Sequence, residues 1–257
     1  MSITLQSVTK RFGANVAVDR LSLEVRPGEL FAFLGPNGAG KTTTIKMIVG
    51  LLRPNEGHIS VCGHAVSGDQ AEQGDGLAAK SRMAYVPDQP FVYDKLTGRE
   101  FLQFVGRMYR LPRAVIEDRI DGLTRRLSMA SLLDEYTESY SHGMKQRVVL
   151  ASAFLHKPEV LVIDEPMVGL DPRTVRTVKD LFIDHVRGGG TVFMSTHTLE
   201  VAEAVADRIG IIHQGSLIAV GTLDELRAEQ SHDTPLESIF LELTADRDDP
   251  QAETVPA

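Results

Sequence analysis

Apolar and polar positions nearly alternate in the opening part of the chain. Ile3, Leu5 and Val8, then Leu21, Leu23 and Val25, recur at intervals close to two. That period predicts half-exposed antiparallel strands over roughly the first sixty residues. Later runs lose the alternation: "LFAFL" (30–34), "VLVI" (160–163), "TVFMS" (191–195) and "RIGII" (208–212) are almost continuously apolar. Such runs suit parallel strands covered on both faces. Helical patterns lie between them, which predicts an α/β fold. "HQGS" (213–216) reads as a hairpin turn between two strand-like runs.

Residues 92–158 carry no strand pattern and read as a helical insertion. Thr97 and Glu100 are spaced as a capping box, with Leu96 and Phe101 placed for the hydrophobic staple. Pro112 closes that helical region; Ile116, Ile120, Leu123 and Leu127 mark the next helix. A third is expected from Ser141, with Met144, Val148, Ala151 and Leu155 along one face. The polar, Gly-rich stretch 67–76 is expected to be an exposed loop, and 244–257 an acidic, disordered tail.

Composition narrows the class. A chain of 257 residues can bury one sizeable core. A formal net charge of -8 argues against nucleic acid as the main partner. The single cysteine, Cys62, cannot form an internal disulfide, which fits a reducing compartment. No apolar run reaches the length of a membrane span, and the N-terminus lacks the apolar core of a signal peptide, so a soluble chain starting near Met1 is expected.

The chemistry concentrates in three places. "GPNGAGKTT", Gly35 to Thr43, follows a strand pattern and precedes a helical one. It fits the phosphate-binding loop G-x-x-x-x-G-K-[ST]. Gly35, Gly38 and Gly40 would let the backbone wrap so that its N–H groups meet phosphate oxygens beside a helix N-terminus, with Pro36, Asn37 and Thr43 in the same loop. Lys41 would reach the outer phosphates, and the Thr42 hydroxyl could ligate Mg²⁺. "VLVIDEP" ends an apolar strand in Asp164, placed for Mg²⁺ or its water, and Glu165, placed to activate an attacking water. "STH" puts His197 after the next apolar strand, within reach of the γ-phosphate if strand ends gather at one edge.

These pieces, in their order with "YSHGM" (140–144) and "GLDP" (169–172), resemble the nucleotide-binding subunits of ATP-binding cassette (ABC) proteins over nearly the whole chain. The resemblance implies a P-loop NTPase core with a mostly parallel sheet, an N-terminal antiparallel β subdomain and an inserted helical subdomain. It implies one nucleotide-binding domain over 1–243, with 1–91 and 159–243 as the ATP-binding core and 92–158 as the helical subdomain. ATP and Mg²⁺ are the implied cofactors. Family members form head-to-tail dimers, so Ser141 and the Gly143 backbone would contact the γ-phosphate held by a second nucleotide-binding subunit. Asp171 would help to seat the two subunits, or simply cap the helix that begins at Pro172. Phe12 matches the aromatic that stacks on adenine; otherwise it is a packed strand residue.

Two departures stand out. The family's signature is commonly Leu-Ser-Gly-Gly-Gln, and here Tyr140, His142 and Met144 replace three of the five. A family glutamine follows a strand resembling "MAYVP"; here Asp88 takes that place as a hard oxygen ligand for Mg²⁺, or Gln89 does after a one-residue shift. Within the family, "YVPD", "YDKLTGREFL" and "LESIFLELT" look like bacterial export cassettes. A separate multi-span membrane permease is then the implied partner, meeting the chain around 88–102, and the expected location is the cytoplasmic face of the membrane. The other class open at this point is a soluble ABC ATPase without a transport role, such as the iron–sulfur assembly type.

Overall fold

The computed structural model describes residues 1–228 and 235–245. The alternating N-terminal segments form β1 (Ile3–Phe12) and β2 (Asn15–Val25), which pair antiparallel with Leu5 opposite Leu23. β4 (Glu56–Val61) joins the other edge of β1, and the short β5 (His64–Ala65) completes a four-stranded sheet in the order β2-β1-β4-β5.

The continuous apolar runs form the second sheet: β3 (Leu30–Leu34), β6 (Met83–Val86), β7 (Val160–Asp164), β8 (Thr191–Thr196), β9 (Arg208–His213) and β10 (Ser216–Gly221). Their order is β10-β9-β3-β8-β7-β6, parallel except for the β9–β10 hairpin. The turn of that hairpin is Gln214-Gly215, both with positive φ, as a two-residue turn matched to strand twist requires.

The sheet divides the interior in two, which explains the apolar runs. Leu30, Ala32, Leu34, Leu161, Ile163, Val192 and Met194 point into one core, while Phe31, Phe33, Val160, Val162 and Phe193 point into the other. The second core is closed by the N-terminal sheet and α1 (Lys41–Ile48), and Phe31 stacks on Phe193 within it, centroids 5.7 Å apart. Each such ring contributes about 1.5–3 kcal/mol by leaving water.

The helices α3 (Gly98–Met108), α4 (Arg113–Arg126) and α5 (His142–Leu155) are inserted between β6 and β7. Thr97 and Glu100 form both bonds of the capping box at the start of α3. The apolar faces of these helices, through Phe101, Leu102, Ile116, Ile120, Val148 and Leu155, join the first core of the sheet rather than building one of their own. α6 (Pro172–Arg187), α7 (Leu199–Val205), α8 (Leu223–Ala228) and α9 (Leu236–Ala245) follow.

Two expectations change. The stretch 67–76 is not a loop throughout: a π-helical turn spans Ala71–Asp75 and leads into α2 (Gly76–Arg82). The only buried positions of α2 are Gly76 and Ala79, so small residues make its contacts and no apolar period marks it. The disorder predicted from residue 244 does not hold at its first two residues, because α9 runs to Ala245 and Thr244 is buried, its hydroxyl donating to the Phe240 carbonyl at 2.7 Å. The rest of that predicted tail lies outside the described residues.

Candidate nucleotide-binding site

Sheet order places the chemistry. Asp164 pairs with Ser195 in register, and Leu34 pairs with Thr196. The segments that follow β3, β7 and β8 therefore leave the same edge of the sheet side by side. One carries the Gly-rich loop, one Glu165 and one His197. Asp88, two residues beyond β6, leaves that edge next to β7.

The loop after β3 is held by close backbone approach. A Cβ on Gly35 would stand 2.4 Å from the Ile212 carbonyl oxygen, and one on Gly40 2.5 Å from that of Ala17, so only glycine fits either position. Gly40 has φ +107 and starts α1 without a side-chain cap, leaving the first N–H groups of the helix turned outward. The β9–β10 turn braces the loop from behind, with the Gly215 N–H donating to the Ala39 carbonyl at 2.9 Å. The cleft formed there has a volume of about 600 Å³ and is lined by Asn37, Gly38, Gly40, Lys41, Thr42 and Thr43 together with Asp88 and Glu165. Gly35 and Pro36 do not line it; their carbonyls accept from Lys41 Nζ at 2.7 and 3.2 Å. Phe12 lines the cleft with 49% of the residue exposed, at the end of β1.

Lys41 is buried, and burial lowers its ammonium pKa, while Glu165 and Asp164 oppose that shift. Its Nζ lies 3.7 Å from Glu165 Oε1, and the same carboxylate oxygen is 2.9 Å from His197 Nδ1. Glu165 has φ +50, a left-handed conformation uncommon outside glycine and typical of sites where geometry is imposed for use.

Asp164 is fully buried, and burial raises its pKa; the hydroxyls of Ser195 and Thr42 lower it in part. Ser195 donates to Oδ1, whereas Oδ2 is buried and accepts no hydrogen bond within the protein. Ser195 escaped the sequence reading. Its only signal is a hydroxyl two residues before His197, next to an apolar Val-Phe-Met run.

Of the remaining candidates, Asp88 shares this cleft and the others lie away from it. Asp88 is exposed into the cleft, its Oδ1 accepting from the Gln89 N–H at 2.8 Å, while Gln89 lines a neighbouring hollow. Ser141 is exposed and caps α5, accepting from the Met144 N–H at 3.3 Å, and neither it nor Gly143 lines the cleft of its own chain. Tyr140 is buried; its hydroxyl donates to the carbonyls of Leu132 and Glu135, which anchors the start of α5. Asp171 caps α6, accepting from the N–H groups of Arg173 and Thr174 at 3.0 Å each.

The ABC transporter family model matches residues 18–168. The ABC-type transporter ATP-binding protein EcsA of Bacillus subtilis (strain 168) is 35% identical over 243 residues, 94% of this chain and 96% of that protein. The daunorubicin resistance ATP-binding protein DrrA3 of Streptomyces coeruleorubidus is 39% identical over 232 residues, 90% of this chain and 72% of that one. A solved structure described as an ATP binding subunit of an ABC transporter superposes with a TM-score of 0.88 at 32% identity, covering 95% of this chain and 99% of that one. These relatives are transporter subunits, so the non-transport reading is not favoured. The chain belongs to the ABC transporter family, as an ATP-binding subunit with ATPase activity that works with a membrane permease.

Proposed function

We propose that this chain powers an exporter, hydrolysing ATP in the cleft between the Gly-rich loop and Glu165. The observation that carries the reading is the single carboxylate oxygen of Glu165 shared by Lys41 and His197 at the mouth of that cleft. The α1 N-terminus and the loop N–H groups would hold the phosphates, and Lys41 would turn from the Gly35 and Pro36 carbonyls to them. Glu165 would take a proton from the attacking water as its oxygen bonds to the γ-phosphorus and the bond to ADP breaks. His197 would hold the Glu165 carboxylate and face the γ-phosphate. The buried, unpartnered Oδ2 of Asp164 beside the Thr42 hydroxyl, with Asp88 at the cleft wall, is a hard-oxygen set suited to Mg²⁺. Bound there, the ion would neutralise charge on the phosphate oxygens.

Ser141 and Gly143 would complete the site of a second subunit, because a helix N-terminus with small residues suits an approaching anion. Export as the direction is supported by the resistance function in the name of DrrA3. No described helix is long and apolar enough to cross a membrane, so the transport path would lie in a separate permease. Phe91 and Tyr93 are exposed at the predicted meeting place and, with the exposed Phe104 just beyond it, form ring contacts with centroids 5.5 and 5.7 Å apart that would receive it. The test is affinity capture of the tagged chain from detergent-solubilised membranes and from cytosol. Stoichiometric recovery of a multi-span membrane protein is expected; recovery of soluble partners alone would overturn the transporter assignment.

A further inference from the structure

The side chain between Ser141 and Gly143 is His142, where the family commonly has glycine. Its ring lies against Gly169, in the segment that joins Glu165 to Asp171. A Cβ on Gly169 would stand 2.5 Å from Cδ2 and 3.1 Å from Nε2 of His142. Gly169 also has φ +75, so its backbone favours glycine whatever stands above it. Gly143 meets the same residue from the next position: a Cβ there would be 3.2 Å from the Gly169 carbonyl oxygen. Two successive residues at the start of α5 thus rest on one glycine four positions after Glu165.

The segment under the ring is short and tightly turned. The Val168 N–H donates to the Glu165 carbonyl and the Leu170 N–H to that of Met167, each at 3.4 Å. A displacement at Gly169 is therefore passed toward Glu165 within two turns. His142 and Glu165 also line one hollow of about 580 Å³, together with Asp88, Gln89, Tyr140 and Lys145. His142 takes no part in the cleft that contains Lys41.

We infer that His142 is a positioning residue for hydrolysis: its ring, seated on Gly169, holds the segment after β7 so that Glu165 keeps its place relative to Lys41 and to the start of α5. The inference rests on the role proposed for Glu165. Because His142 lies outside the nucleotide cleft of its own chain, its loss should slow the chemical step and leave ATP binding by the single chain alone. Geometry errors of about an ångström at a reacting centre cost up to roughly a hundredfold in rate.

The test is single-turnover ATP hydrolysis by the full chain, with KM for ATP and melting temperature measured beside it. His142→Ala should lower the rate roughly ten- to hundredfold while KM stays within about twofold and the fold holds. His142→Phe, which keeps a planar ring, should recover much of the rate. Gly169→Ala should also be slow, because its left-handed backbone strains any side chain placed there. A normal rate in His142→Ala, a change confined to KM, or a His142→Phe as slow as His142→Ala would overturn the inference. Glu165→Gln in the same assay separates the failures: if it hydrolyses normally, the role of Glu165 is at fault; if it is inactive while His142→Ala is normal, only the role of His142 is.

Discussion

One oxygen of Glu165 stands 2.9 Å from His197 Nδ1 and 3.7 Å from Lys41 Nζ, so the carboxylate is held between a strand-end imidazole and the ammonium of the Gly-rich loop. Replacing Glu165 by Gln keeps the shape and removes the proton acceptor. Steady-state turnover should fall by about 10²- to 10⁴-fold, while ATP binding, measured by equilibrium titration, stays near normal. Near-normal turnover would remove Glu165 from the role of base.

Asp164 carries a charge that burial disfavours, and its pKa is raised accordingly. A carboxyl with a raised folded-state pKa favours the fold most below its unfolded value, and that contribution is lost as pH rises through the folded value. Above the folded value the full cost is present. Asp164→Asn should therefore raise the melting temperature while abolishing hydrolysis; a lower melting temperature would contradict the assigned cost.

Ser195 holds down the same pKa by donating to Asp164 Oδ1. Removing the donor in Ser195→Ala should raise that pKa further, so the ionised form disappears at higher pH as the solution is acidified. The acid limb of the pH–rate profile should shift upward, and added Mg²⁺ should move it back. An unshifted profile would mean that Asp164 ionisation does not limit activity.

The exposed start of α5 bears on assembly. Ser141→Arg should leave ATP binding by the single chain intact and block ATP-dependent dimerisation, because a long cation would fill the space meant for a phosphate. Light scattering in a Glu165→Gln background, with ATP present, is the measurement. An unchanged ATP-dependent dimer would refute the contact between subunits.

His156 joins the end of α5 to β6. Its ring stacks on Tyr109 at 3.6 Å, Nε2 lies 3.2 Å from the Met83 carbonyl oxygen, and burial lowers its pKa to about 4. The unfolded chain takes up this proton near pH 6.5 and the folded chain only near 4, so the group removes stability as pH falls between those values. His156→Gln should flatten the fall of melting temperature over that window. An identical slope would show that other groups govern it.

The sequence by itself determined the parts whose physics is local. The Gly-rich loop is legible because strand end, glycine turn and helix start are contiguous, and the capping box at Thr97 and Glu100 needs only four residues. The buried strands are legible because a sheet covered on both faces leaves no polar alternation. α2 was not, since Gly76 and Ala79 bury too little to impose a period. Residues far apart in the chain were brought together only by strand order: β8 between β3 and β7 sets Ser195 against Asp164 and His197 against Glu165. Tertiary structure also decided that Asp88 rather than Gln89 faces the cleft, and that His142 rests on Gly169. Such contacts depend on backbone placement across 27 residues of sequence or more, and no local pattern of side chains encodes that distance.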